Sequence, residues 1–167
     1  MIGKAVFLAI VASIFVALNP INVYAGFWNK CSVYSSPVTM EKIAYVESGG
    51  SPYAIDDDTM DHSYFLKNYA QAYYTARLLI NEGHNIDVGL VQINSSNIYT
   101  YHLKLRNVLD PCYNVYIGSY ILYLDYNKAI TMASNKYTAL YMALQAYNSG
   151  QFYGDNSYAD KVWEALN

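Results

Sequence analysis

The chain has 167 residues, room for one domain with a sizeable core but not for two. Hydrophobic residues make up 54% and charged residues 14%, which excludes a disordered or fibrous chain. Ten basic residues against thirteen acidic ones, with no basic run, leave out the electrostatic footprint of a nucleic-acid binder. Tyrosine is over-used, with 20 copies; its rigid amphipathic ring suits polar surfaces such as sugars and serves equally well as core filler.

Residues 5–18 are apolar or small throughout, preceded by Lys4 and followed by Asn19-Pro20. That stretch is shorter than the ~20 residues a membrane-spanning helix needs, and Val23-Tyr24-Ala25 offers small side chains where a signal peptidase inspects the chain. Residues 1–25 are therefore expected to be a signal peptide cleaved after Ala25, with an uncleaved membrane anchor as the alternative. Residues 26–167 then form one exported, mildly acidic domain, a lysine poorer than the full chain of net charge −3. Cys31 and Cys112 are the only cysteines, and in an oxidising compartment an even pair reads as a disulfide. Closing a loop of about 80 residues would contribute roughly 4 kcal/mol on a chain-entropy account; left unpaired, they would be two inert thiols.

Ser36-Pro37 supplies an N-cap and a proline at the first helical position, and Gly49-Gly50 supplies the stop, so a helix is predicted between them. Ala72, Tyr73, Ala76, Leu79 and Ile80 recur at three and four, predicting a helix over 69–83. Asp110-Pro111 repeats the cap-and-proline signal before a longer helix through Tyr116, Ser119, Leu122 and Tyr123. Helices over 136–149, stopped by Gly150, and over 157–166 complete the set. Strand signals are confined to 53–55 and 62–66, a small hairpin around Asp56-Asp57-Asp58.

Within the first predicted helix, Met40, Ile43, Ala44 and Glu47 fall at i, i+3, i+4 and i+7, which puts a carboxylate on the apolar stripe. Glu47 also lies in the last turn, at the negative end of the helix dipole. Desolvation and dipole both disfavour its ionised form, so its pKa should be raised, as a general acid requires. The same spacing also fits a frayed helix end with a solvated Glu47, and periodicity leaves both open. Leu140, Ala143, Leu144 and Tyr147 repeat the pattern before Asn148-Ser149-Gly150, where a core tyrosine and a glycine stop would explain them as well. Between the two, Gly89 permits close backbone approach, and Gln92 and Asn94 alternate with apolar neighbours. Asp56, Asp58 and Asp61 lack the glycine and distal glutamate of a calcium loop, and His62, His84 and His102 lack metal-ligand spacing, so all six read as surface residues. No metal site and no cofactor is expected; phosphate loop, nucleophile elbow and dinucleotide fingerprint are all missing.

In order, Glu47-Ser48-Gly49-Gly50, Gly89-Leu90-Val91-Gln92-Ile93-Asn94 and Ala146-Tyr147-Asn148-Ser149-Gly150 resemble the signature of the soluble lytic transglycosylase domain, which shares its fold with goose-type lysozyme. The stretch 75–84 leading into Asp87-Val88-Gly89, and Leu109-Asp110-Pro111-Cys112, are similar to the branch serving type IV secretion and conjugation machinery. The resemblance runs from about Cys31 to Trp163, with Val91 in place of the usual methionine and a short loop after Gly150. It implies a mainly α (α+β lysozyme-like) single helical domain with a catalytic cleft and at most a small β-hairpin. It implies that Glu47 is the single catalytic acid, that Tyr147 orients it, and that Gln92, Asn94 and Asn148 contact the glycan, with Ser48 and Tyr158 near the cleft. The implied substrate is the β-1,4 bond of peptidoglycan between N-acetylmuramic acid and N-acetylglucosamine. The implied setting is the periplasm, with components of a secretion or conjugation channel as partners, and neither nucleic acid nor, after processing, membrane. Two alternatives remain: a goose-type hydrolase in which Asp87 holds a water, and a non-catalytic wall-binding assembly subunit.

Overall fold

The computed structural model describes residues 20–166. The predicted leader lies outside the described residues up to Asn19, and its last residues begin helix α1 (Pro20–Cys31). Helix α2 (Pro37–Ser48) starts where the sequence places it: the Ser36 hydroxyl accepts the Thr39 amide, Pro37 occupies the first turn, and Gly49 closes the helix in the left-handed region at φ +61°. Thr39, Met40, Ile43, Ala44 and Ser48 form its buried stripe.

Strands β1 (Ala54–Asp57) and β2 (His62–Phe65) make the predicted hairpin, pairing Ala54 with Phe65 and Asp57 with His62. Helix α3 (Tyr69–Asn81) is capped by the Asn68 side chain and buries Ala72, Ala76 and Leu79. The sheet then exceeds the expected hairpin. Strand β3 (Ile86–Val88) pairs antiparallel with β1, and β4 (Ile93–Asn94) with β3, giving four strands in the order β2-β1-β3-β4. Both extra strands are two or three residues long, too short for alternation to register, and are held by pairing rather than propensity.

Short helices α4 (Ser95–Thr100) and α5 (Leu105–Val108) lead to α6 (Pro111–Ala129), capped by the Asp110 carboxylate at the Tyr113 amide. Helix α7 (Lys136–Ser149) is capped by Asn135, which accepts two amides, and ends on Gly150 at φ +71°. Helix α8 (Ser157–Leu166) packs on α2 and α7, and α6 packs along α7. The core runs through Met40, Ile43, Ile55, Leu109, Leu122 and Leu144. Cys31 and Cys112 are bonded, joining the end of α1 to the start of α6 as expected. No helix among the described residues is long and apolar enough to cross a membrane.

Candidate active site

The sheet and the ends of α2 and α7 enclose a cleft of about 530 Å³. One wall carries Glu47 from the last turn of α2, together with Asp56, Asp58, Asn85 and Asp87 from the sheet and its turns. The floor is Gln92, Ile93 and Asn94, with Ser96, Asn97 and Tyr101 beyond them. Ile121 and Asp125 of α6 and residues 146–150 of α7 close the other side. Five predicted site residues thus come together here: Glu47, Gln92, Asn94, Tyr147 and Asn148.

Two helices and one loop create that arrangement. The 88–92 loop is clamped from three directions. Ser48 of α2 donates to the Leu90 carbonyl at 2.7 Å, Tyr147 of α7 donates to the Val91 carbonyl at 2.7 Å, and the Asn114 amide oxygen of α6 accepts the Val91 N–H at 2.9 Å. The Asn114 nitrogen donates to the Val88 and Val108 carbonyls, so both polar atoms of this fully buried side chain are bonded. Gly89 is the residue this clamp demands, since its φ is +86° and a Cβ there would run into the Asn114 amide. Gly118 on α6 plays the matching part, because a Cβ would meet Val91 at 2.5 Å and the Tyr147 hydroxyl at 2.8 Å. So held, the chain turns at Gln92 through φ +48°, and the Gln92 amide nitrogen donates back to the Gly89 carbonyl at 2.6 Å.

Ser48 and Tyr158 do not line the cleft. Ser48 is buried, its hydroxyl committed to Leu90 and to the Ala44 carbonyl, so it braces the loop. Tyr158 is buried on α8, with its hydroxyl directed at the Glu47 carboxyl. Tyr147 does not bond Glu47: its proton goes to Val91, and its influence on the acid passes through position and charge.

Burial is the main force on Glu47 and lifts its pKa from 4.5 to about 7; the Tyr158 hydroxyl pulls it down, and the charges of Asp87 and Asp56 push it up again. Among the described residues no basic side chain lines the cleft to pair with it. Asp87 is also raised to about 7, by burial first and then by Asp58, with a polar contact from Asn94 opposing. It sits in register with Asp56 on one side and Asn94 on the other. Asp125 is lifted to about 6 by burial, against the pull of Lys128. A carboxyl that keeps its proton near neutrality, at the edge of a polar cleft, can protonate a leaving oxygen and then act as base.

The structure adds to the sequence reading at three places. Asp56 and Asp58, read as plain surface residues, are exposed but form part of the cleft wall, because β1 pairs with the unforeseen β3. His84 is not a free surface histidine, since its Nδ1 lies 2.8 Å from the fully buried carboxylate of Asp57. Asp125 went unnoticed, although Ile121 and Asp125 at i and i+4 place an acid in line with a buried apolar residue, the signal that picked out Glu47. Among the described residues no cluster of His, Cys, Asp and Glu is arranged to hold a metal ion.

Residues 28–163 match the family model described as the transglycosylase SLT domain. The chain belongs to that family. Similar proteins include Protein virB1 of Agrobacterium fabrum, 33% identical over 83% of this chain and 57% of its own length. Another is the type IV secretion system protein virB1 of Brucella abortus, 34% identical over 75% of this chain and 53% of its own. The chain therefore spans little more than half the length of these relatives. No solved structure matches it. The matched range contains all five cleft residues named above, together with Ser48 and Tyr158.

Proposed function

We propose that this domain is a peptidoglycan lytic transglycosylase, cleaving the β-1,4 bond between N-acetylmuramic acid and N-acetylglucosamine and opening the wall locally for a type IV secretion or conjugation apparatus. The observation that carries the reading is Glu47, a carboxyl lifted to about 7 at the edge of a cleft lined mainly by amides, hydroxyls and acids. The protonated Glu47 gives its proton to the glycosidic oxygen as the bond to the muramic C1 breaks. The carboxylate so formed takes the proton of the muramic 6-hydroxyl as O6 bonds to C1. A 1,6-anhydro ring closes, the proton returns to Glu47, and no water or second carboxylate is consumed. Gln92, Asn94 and Asn148 supply amides along the floor and wall for the sugar's acetamido and hydroxyl groups.

Export to the periplasm with processing after Ala25 fits the Cys31–Cys112 disulfide, which belongs to an oxidising compartment. The type IV setting rests on the names of the relatives.

One observation favours a second reading: Asp87 shares the cleft with Glu47 and could direct a water, which would make the enzyme a hydrolase. Mass spectrometry of muropeptides released from purified wall separates the two. Transglycosylation gives 1,6-anhydro ends; hydrolysis gives reducing muramic ends one water heavier. Folded protein that binds wall and releases nothing would point to a binding subunit.

A further inference from the structure

Much of the tyrosine in this chain is gathered on one face outside the cleft. Helix α6 carries Tyr113, Tyr116, Tyr120 and Tyr123 at steps of three and four, a stripe about 15 Å long at the helical rise. Tyr34, in the loop before α2, lies across it, its ring 5.0 Å from Tyr120, 5.4 Å from Tyr116 and 5.9 Å from Tyr123. Its hydroxyl meets that of Tyr116 at 3.0 Å. Tyr34 and Tyr123 are 40% and 41% exposed, while Tyr116 and Tyr120 are half-buried.

The stripe is continuous with the cleft. Tyr101 lines the cleft, and its ring packs edge-on to Tyr120 with centroids 6.4 Å apart. At its far end Tyr34 and Tyr123, with Tyr126, border a groove of about 190 Å³ that also exposes Ser35 and Ser36. The platform is built rigid. The Tyr34 amide donates to the Ser119 hydroxyl at 3.4 Å, the Ser35 hydroxyl donates to the Ser119 carbonyl at 2.8 Å, and the Cys31–Cys112 bond anchors the same corner.

We propose that this tyrosine face extends the glycan site: a strand leaving the cleft at Tyr101 continues over Tyr120 and Tyr34 to the groove beside Tyr123. Ring faces cover the apolar C–H faces of the sugars while phenol and serine hydroxyls meet sugar hydroxyls. Continuity with the cleft decides the occupant, together with the absence of any Lys, Arg, Asp or Glu among the residues forming the face and groove, which suits a neutral polymer rather than an anionic lipid surface. Rings already packed lose little freedom on binding. The proposal rests on the glycan reading of the cleft.

The test uses purified protein carrying Glu47→Gln, so that wall is bound and not cut, with Tyr123→Ser or Tyr34→Ala added and folding checked by thermal melt. Co-sedimentation with intact sacculi and binding of a peptidoglycan tetrasaccharide are measured side by side. Loss of one exposed ring should weaken sacculus binding about fivefold more than tetrasaccharide binding, and Tyr123→Phe should retain most of it. Equal affinity of folded variants and parent for sacculi overturns the extension and leaves the cleft reading standing, with the face then a packing surface or a site for a protein. A parent that binds neither sacculi nor tetrasaccharide removes the glycan reading and the extension with it.

Discussion

Asp57 and Glu47 are both withdrawn from water, and their surroundings drive them in opposite directions. Burial pushes Asp57 up, but His84 and the amides of Thr59 and Met60 outweigh it and hold the carboxyl below its ordinary range. Glu47 has no such set; burial dominates and lifts it to about 7. The first arrangement ties the β1–β2 turn to the segment before β3. The second stores an acid in its protonated form. Partners distinguish a structural carboxyl from one poised for proton transfer, where depth of burial alone does not.

Glu47→Gln is the severest way to test that contrast. Glutamine is nearly isosteric but has no proton to give, and release of muropeptides should fall by ~10² to 10⁴ or more. Stability should move the other way. A folded pKa above the unfolded one favours the fold below pH 4.5, and the benefit is lost as pH rises through about 7. Above pH 7 the variant should therefore be at least as stable as the parent, by up to about 2 kcal/mol after allowance for the partial exposure of the site, and the gain should vanish at pH 4. Denaturant melts at the two pH values check this. A variant destabilised at pH 8 would show that Glu47 is a partnered acid after all.

Asp57→Asn should give the mirror image. A depressed pKa contributes stability above the ordinary value of 3.8, lost as pH falls through the folded value. Melting temperature should drop on the order of 5 °C at pH 7 and approach the parent's as the pH falls below the folded value of Asp57. Activity should follow stability, since the same hairpin carries Asp56 and Asp58 into the cleft wall.

The pH–rate profile sharpens the comparison further. On the proposed mechanism only protonated Glu47 starts the reaction, so the rate should be level in mild acid and fall about tenfold per unit above a pH near 7. Asp87 titrates in the same range, so the fall belongs to the pair and not to Glu47 alone. In Asp87→Asn, with one like charge removed from the cleft, the fall should begin at lower pH. An unchanged profile would separate Asp87 electrostatically from the acid.

Helices α2, α6 and α7 were legible because each carries its own punctuation, whereas the short α4 and α5 carry none that registers. Ser36-Pro37, Asp110-Pro111, Gly49 and Gly150 all act as the sequence indicates. Glu47 was legible as an acid on an apolar stripe, and Gln92, Asn94, Tyr147 and Asn148 through the ordered motifs. Strands β3 and β4 were not, because pieces this short are defined by what lies beside them. With them went the placement of Asp56 and Asp58, which depends on the pairing of Asp56 with Asp87. The bonds of Ser48 and Tyr147 to the 88–92 loop were not legible for a related reason: a motif marks a residue as near the chemistry without saying which group its hydroxyl serves. Asn114 and Gly118 carry no motif at all and become visible only where α6 meets the 88–92 loop.

The smallest effects belong to that loop, and they test whether it is one clamped unit. Ser48→Ala removes the donor to the Leu90 carbonyl, and Tyr147→Phe the donor to the neighbouring Val91 carbonyl. Each leaves an acceptor unpaired in a confined place, a loss of about 1 kcal/mol or somewhat more. Neither touches the proton donor itself, so activity should fall by about tenfold or less, well short of Glu47→Gln. Because the two bonds fix adjacent peptide units, the first loss should loosen what the second bond holds. The double variant should then lose less than the product of the single losses, in activity and in stability alike. Full additivity would mean that Tyr147 acts on Glu47 directly, by a route separate from the loop.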